Sequence, residues 1–142
     1  MRTRLTTRGK VVLGIAVVGF VLGWGFGGRN LNVVVVPAIA LVAVSGLYVW
    51  RFEPPTVSRY APTHGHRGET RRLDLYVESK IGYPATVRDR TSSGLGGGSA
   101  HQIITDGRWI REDITLEERG RQTIGPTRVT ARDPFALWER EF

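Results

Sequence analysis

Three histidines, an acidic run and a glycine-serine tract are the parts of this chain whose residue types and spacing can do chemistry. His64 and His66 stand two apart in Thr63-His64-Gly65-His66. In a strand, positions i and i+2 share a face, so the pair has the spacing of two metal ligands. No carboxylate or cysteine completes a ligand set of known spacing, and His101 lies far along the chain, so the segment reads as a solvated turn. Glu112, Asp113, Glu117 and Glu118 are close enough for paired-carboxylate acid–base work. Arg108, Arg111, Arg119 and Arg121 flank them, which is the pattern of a solvated strand face opposite basic neighbours. The Ser and Thr residues form no GxSxG nucleophile motif. Residues 91–99, TSSGLGGGS, have the glycine content of a phosphate cradle, but the Lys followed by Ser or Thr of a P-loop is missing, as is a strand-to-helix setting. A mobile loop is expected there. With no cysteine, a disulfide framework and any cysteine-based metal site are excluded. The expectation is no catalytic residue, no cofactor and no metal.

The elements that would hold these residues fall into two halves. Residues 11–28 and 31–50 carry no charge, and at 1.5 Å per helical residue, 20 residues span about 30 Å, the thickness of a bilayer's hydrocarbon core. A transmembrane helical hairpin over 11–50 is expected, preceded by a basic cytoplasmic tail, 1–10. A cleaved signal peptide fits less well. Trp24, Phe26 and glycines stand where a small-residue cleavage site belongs, and a second apolar segment follows at once. Asn30 or Asn32 is positioned to cap the second helix, and Pro37 falls within its first turns, where a lost hydrogen bond costs least. Gly19, Gly23 and Gly27 repeat every four residues, a stripe expected to pack against the second helix through Ala43 and Gly46.

Residues 51–55, RFEPP, read as a linker, because two prolines cannot continue a helix. Beyond them the period changes to two. Leu73, Leu75 and Val77 alternate with polar neighbours, and Ala85, Val87 and Asp89 do so more weakly. Residues 102–105 form a short apolar run, and Ile114 and Leu116 alternate around Thr115. Residues 121–124 and 127–132 flank Gly125-Pro126, which reads as a connection between two strands. Short strands at this spacing predict a small antiparallel β-sandwich over 56–132. Asp133 and Pro134 then have the form of a cap and first residue, so 133–142 is expected to start a C-terminal helix.

Charge supplies the orientation. The chain has 142 residues, 20 basic and 13 acidic, for a net +7. Arg2, Arg4, Arg8 and Lys10 precede the first apolar segment, Arg29 alone lies between the two, and Arg51, Arg59, Arg67, Arg71 and Arg72 follow the second. Basic residues favour the cytoplasmic side, so both termini and the β-domain are expected in the cytoplasm, with Gly28 to Asn30 outside. Anionic membrane lipid is the natural partner of the tail, at about 1 kcal/mol per basic residue near the surface. Residues beyond 50 are almost balanced in charge, and their arginines alternate with acids, so no nucleic-acid footprint is present.

Two stretches resemble the family of membrane proteins called "domain of unknown function 58", the first looking most like archaeal members from salt-loving organisms. The first is Thr7-Arg8-Gly9, a glycine-rich helix, then Gly28-Arg29-Asn30-Leu31-Asn32. The second is Arg119-Gly120-Arg121, then Ile124-Gly125-Pro126, then Arg132-Asp133-Pro134-Phe135-Ala136-Leu137, with Arg67-Gly68-Glu69 as a looser match. The resemblance implies a two-helix anchor followed by an immunoglobulin-like β-domain. It also implies a role as a scaffold or binding module that assists a MoxR-type AAA+ ATPase in assembling or activating protein complexes. In the family a region similar to a von Willebrand A domain follows. The DxSxS metal motif of that region does not occur here, since Asp89 is followed by Arg90-Thr91-Ser92-Ser93, so metal-dependent adhesion is not carried over. Ala136 stands where the family usually has Gly. The alternative is a cell-envelope protein whose β-domain lies outside and contacts surface polymers or proteins.

Overall fold

The computed structural model describes residues 2–27 and 29–142. Gly28 of the expected outer connection lies outside the described residues, as do the side chains of Arg29 and Leu31. In chain order the elements are β1 (Arg2–Leu5), α1 (Thr7–Gly25), α2 (Arg29–Trp50), β2 (Thr56–Tyr60), β3 (Thr70–Glu78), β4 (Pro84–Thr91), β5 (Leu95–Gly96), β6 (Ala100–Ile104), β7 (Asp106–Leu116), β8 (Ile124–Arg132) and β9 (Trp138–Glu141). Two apolar helices are thus followed by two antiparallel β-sheets, the arrangement a helical hairpin plus β-sandwich requires. The chain divides into one unit of Met1–Phe52 with Ala131–Glu141, and another of Glu53–Thr130 with Phe142.

In the first unit, Thr6 caps α1 from an extended conformation, its hydroxyl accepting from Gly9 N at 3.1 Å. Thr7–Gly25 and Asn32–Trp50 are 19 residues each, with mean hydropathies of 1.5 and 2.3, long and apolar enough to cross a membrane. Only 22% of either stretch is buried, and Ile15, Trp24 and Val33 are 69%, 87% and 72% exposed. Among the described residues, the buried and half-buried positions are Gly9, Val12, Ala16, Gly19 and Gly23 in α1, and Val35, Ala38, Val42, Ser45, Gly46 and Val49 in α2. Gly46 apart, both sets step by three and four alternately, the 3.5-residue seam of paired helices.

That seam corrects the expected glycine stripe. Gly19 and Gly23 lie on it, but Gly27 is exposed, past the helix end, at φ 64°. Each four-residue step turns a stripe about 40° around a 3.6-residue helix, so two steps carry it off the seam. Ala43 faces outward. Gly46 packs beneath Trp138, where a Cβ would stand 3.2 Å from the indole Cε2. Asn30 and Asn32 do not cap α2, which already begins at Arg29.

The two ends also differ from expectation. Within the expected 1–10 tail, residues 2–10 are not free: β1 pairs antiparallel with β9, Arg2 opposite Glu141 and Leu5 opposite Trp138. Residues 133–142 do not start a helix. The Asp133 carboxylate accepts from Phe135 N at 3.0 Å and from Trp138 N at 2.7 Å, closing a turn instead. Ala136 sits at φ 54°, which ends any helical run, and the chain leaves as β9.

In the second unit, β2 begins one residue after the 51–55 linker. One sheet has the order β2-β3-β7-β5, and strands β8-β4-β6 belong to the other. The period-two residues Leu73, Leu75, Val77, Ala85 and Val87 are all buried, as are Tyr83, Ile110 and Val129. Glycine does support a strand in the 91–99 tract. β4 reaches Thr91, and Leu95 and Gly96 pair with Leu116 and Thr115 of β7. Gly125-Pro126 is a cis peptide inside β8, not a connection between strands, and 121–123 lie outside any strand.

Candidate functional site

Glu112 is where the acidic run departs most from a solvated face. It sits on β7 between Ile110 and Ile114, sharing their parity, and is 8% exposed. Its Oε1 accepts from Gly98 N at 2.8 Å, Ser99 N at 2.7 Å and Ser99 Oγ at 3.0 Å. Gly97 and Gly98, at φ 127° and 98°, turn the tract so that these two amides converge on one oxygen. Burial disfavours the charged carboxylate, but hydrogen bonds from the Ser99 and Gly98 amides and the Ser99 hydroxyl, together with nearby His101, hold its pKa below the usual range. The other acids of the run, Asp113, Glu117 and Glu118, are exposed.

Ser99, His101 and Glu112 meet, but not as a nucleophile triad. His101 Nε2 is 3.1 Å from Ser99 Oγ and 3.8 Å from Glu112 Oε2, so hydroxyl and carboxylate approach the same ring nitrogen. An orienting acid must hold the opposite nitrogen. The carboxylate here fixes a loop. Among the described residues no group of three or more His, Cys, Asp and Glu side chains is placed to hold a metal.

The site best shaped for binding is a groove of about 730 Å³ at the end of β7. It lies between the β2–β3 loop, residues 61–69, and the β7–β8 loop, residues 117–123. Its floor is apolar, made by Leu95, Ile114, Leu116 and Ile124. Its rim carries Arg67, Arg119, Arg121, Glu118, His64 and His66. The walls are tied to the strands. Gly68 N donates to Leu116 O at 2.6 Å, Leu116 N to Glu69 O at 2.9 Å, and Arg67 Nε to Glu117 O at 2.9 Å. Glu69 accepts from His66 N and from Arg71, and these bonds lower its pKa. Gly65 lies against Leu116, closer than any Cβ would permit. His64 and His66 are exposed rim residues in the loop, and only His66 belongs to a turn, its carbonyl accepting from Glu69 N at 3.1 Å. Sequence reasoning missed the groove itself, because its two loops are about fifty residues apart.

The residues carrying the family resemblance divide between the two units. In the second, Arg119 and Gly120 line the groove, and Gly120 adopts φ 110°. Gly125, at φ 116°, lets Arg59 approach. The Arg59 guanidinium donates to Ile124 O at 2.7 Å, to Asp89 Oδ1 at 2.7 Å and to Thr127 Oγ1 at 2.5 Å, while Pro126 is exposed beside it. In the first unit, Thr6 and Gly9 meet the turn at Asp133. Thr6 N donates to Leu137 O at 2.8 Å, and Thr6 Oγ1 contacts the carbonyls of Ala136 and Leu137. A Cβ on Gly9 would overlap the Leu137 carbonyl. Arg132 pairs with Glu139 at 3.3 Å, and Pro134 and Phe135 are exposed. Of the orientation residues, Arg4 pairs with Glu141 at 3.0 Å, while Arg2, Arg8 and Lys10 are exposed. Trp138 Nε1 donates to Val42 O, and Arg140 caps α2 through the carbonyls of Trp50 and Phe52.

No protein-family model, curated protein or solved structure matches this chain. On the outer face of β2, β3 and β7, Trp109 lies 5.0 Å from Tyr76 and 5.5 Å from Tyr60, with Trp109 and Tyr60 more than half exposed.

Proposed function

We propose that this chain is a multi-pass cell-membrane protein whose two apolar helices anchor an immunoglobulin-like β-domain that acts as a scaffold or binding module. The observation carrying this reading is the outward apolar surface of α1 and α2. Side chains such as Ile15 and Val33 stay exposed along helices of spanning length, and contiguous apolar surface of that extent calls for lipid. Arg2, Arg4, Arg8 and Lys10 on one side, against Arg29 alone in the connection, favour both termini and the β-domain in the cytoplasm. The family resemblance adds the partner, a MoxR-type AAA+ ATPase whose assembly or activation of protein complexes the β-domain would assist. Such a role asks for no catalytic residue, cofactor or metal of the chain itself.

Two measurements test the two parts. A reporter fused after Phe142 and active only in the cytoplasm should give signal, whereas an external signal overturns the orientation. The full chain in detergent should retain a MoxR-type ATPase of the same genome, with or without nucleotide; no retention in either state removes the proposed partner. The second reading, a cell-envelope protein with its β-domain outside, is favoured by one feature. The Tyr60, Tyr76 and Trp109 rings form a cluster on one sheet face, with Tyr60 and Trp109 exposed, suited to stacking on sugar rings of a surface polymer. The same reporter decides between them.

A further inference from the structure

The groove between residues 61–69 and 117–123 combines an apolar floor with excess positive charge. Leu116 and Ile124 are half-buried and supply the accessible part of the floor, backed by Ile114 and Leu95 at 1% and 6% exposure. Arg119 and Arg121 are exposed, and neither has an acidic partner within ion-pair distance among the described residues. Arg67 spends its Nε on a backbone carbonyl, which leaves its charge uncompensated. Against these three arginines the rim holds one acid, Glu118. Some arginines of this unit find carboxylates, as Arg59 does with Asp89 and Arg71 with Glu69, while others, such as Arg72 and Arg90, are exposed without one among the described residues. The groove differs in gathering three such arginines beside apolar side chains.

A ligand for this site must offer carboxylates, or equivalent anions, beside an apolar side chain. At about 730 Å³ the groove lies within the roughly 300–1,000 Å³ range of specific ligand sites. No Phe, Tyr or Trp lines it, so a nucleic-acid base would find no ring to stack on. Arginine forks suit carboxylates in a bidentate geometry, and an apolar floor between them rewards a Leu- or Ile-sized side chain.

We propose that the groove binds an acidic peptide segment in extended form, with an apolar side chain over Leu116 and Ile124 and flanking carboxylates on Arg119 and Arg121. This deepens the binding-module reading of the β-domain but does not depend on the ATPase as partner. The full chain in lipid nanodiscs is titrated against a fluorescein-labelled Asp-Asp-Leu-Leu-Asp-Asp peptide and read by fluorescence anisotropy. Saturable binding is expected at or below about 1 mM, the weak edge of specific recognition. The Arg119→Glu, Arg121→Glu double variant should weaken it by about tenfold or more, each reversal replacing attraction with repulsion. The Lys80→Glu, Arg88→Glu double variant changes net charge equally at exposed positions, Lys80 past the opposite end of β3 and Arg88 on the other sheet, and should change binding less than about twofold, as a screened distant charge does.

A peptide with serine in place of leucine should bind about tenfold more weakly, having lost the floor contacts. Equal losses in both double variants would reduce the effect to bulk charge and overturn the proposal. So would equal binding of the serine peptide, no saturation, or variant-sensitive binding that is tighter for oligo-dT or for phosphatidylglycerol vesicles than for the peptide. Unchanged circular dichroism of the Arg119→Glu, Arg121→Glu protein ensures that lost binding is not lost fold. Peptide binding without ATPase retention removes the partner alone, and ATPase retention without peptide binding removes this inference alone.

Discussion

Replacing Glu112 with alanine should unfold the β-sheets more readily by about 2–4 kcal/mol. Its side chain is 7% exposed, and its Oε1 takes three donors, Gly98 N, Ser99 N and Ser99 Oγ, at 2.7–3.0 Å. A hydrogen bond to a charged group contributes about 1.5–3 kcal/mol net. Three donors share one oxygen, and Ser99 is exposed, so water recovers part of the loss and the total falls below three such bonds. Glu112→Gln keeps an acceptor but drops the charge, and should cost about half as much by the same accounting.

The pH dependence separates the charge from the shape. The folded pKa is lowered from its ordinary value near 4.5, so the unfolded chain binds the proton more readily than the folded one. The contribution is full above 4.5 and fades as pH falls through the lower folded value. The gap between the native protein and Glu112→Gln should thus be widest at neutral pH and narrow below 4.5. Urea unfolding in micelles, followed by circular dichroism from neutral to acidic pH, measures it, and amide exchange at Gly98 and Ser99 gives the local readout. A gap that does not change with pH, or a loss under about 0.5 kcal/mol for the alanine variant, which is the scale of an ordinary surface change, would refute the reasoning.

Three further outcomes follow from backbone and pairing. Ala136→Gly should stabilise the first unit by about 0.5 kcal/mol, since a non-glycine residue at φ 54° costs about 1 kcal/mol or more and glycine returns part of that gain as unfolded-chain entropy. A lower thermal midpoint would contradict it. Gly9→Ala and Gly14→Ala should have opposite signs although both sit in α1. Alanine gains about 1 kcal/mol of helix propensity at either, but at Gly9 its Cβ meets the Leu137 carbonyl and Leu5 Cδ1 at 2.7 Å, while Gly14 has nothing within 4 Å. Loss of exchange protection at the Thr6 amide should accompany Gly9→Ala alone. Asp89→Ala should cost about 3 kcal/mol, the low end for breaking a buried pair, because Arg59 keeps Ile124 O and is 27% exposed. Chemical unfolding checks it, and a cost below 1 kcal/mol would place the clamp on Arg59's carbonyl contact instead (about the size of an exposed pair).

Much was legible because it is local. The charge-free runs over 11–28 and 31–50 register as hydropathy, and two long apolar helices stand there. Leu73, Leu75 and Val77 register as period two, and β3 buries all three. The burial of Glu112 was within reach by the same rule, because it shares parity with Ile110, Ile114 and Leu116. The flanking arginines outweighed that signal, since charge pattern alone does not say which side of a strand is covered.

The sequence by itself determined which segments are apolar helices, which alternate as strands, and where basic charge gathers. Those properties depend on a residue and its near neighbours, and short-range sterics and hydropathy set them. Only the tertiary structure decided that Arg2–Leu5 pairs with Trp138–Glu141, and that Asp133 turns the chain instead of starting a helix. It alone brought Arg67 beside Arg119 over an apolar floor. Asp-Pro serves a turn as well as a helix start, and the choice falls to partners far along the chain. Pairing across more than a hundred residues leaves no periodic trace in either segment, because its driving force exists only once both are in place.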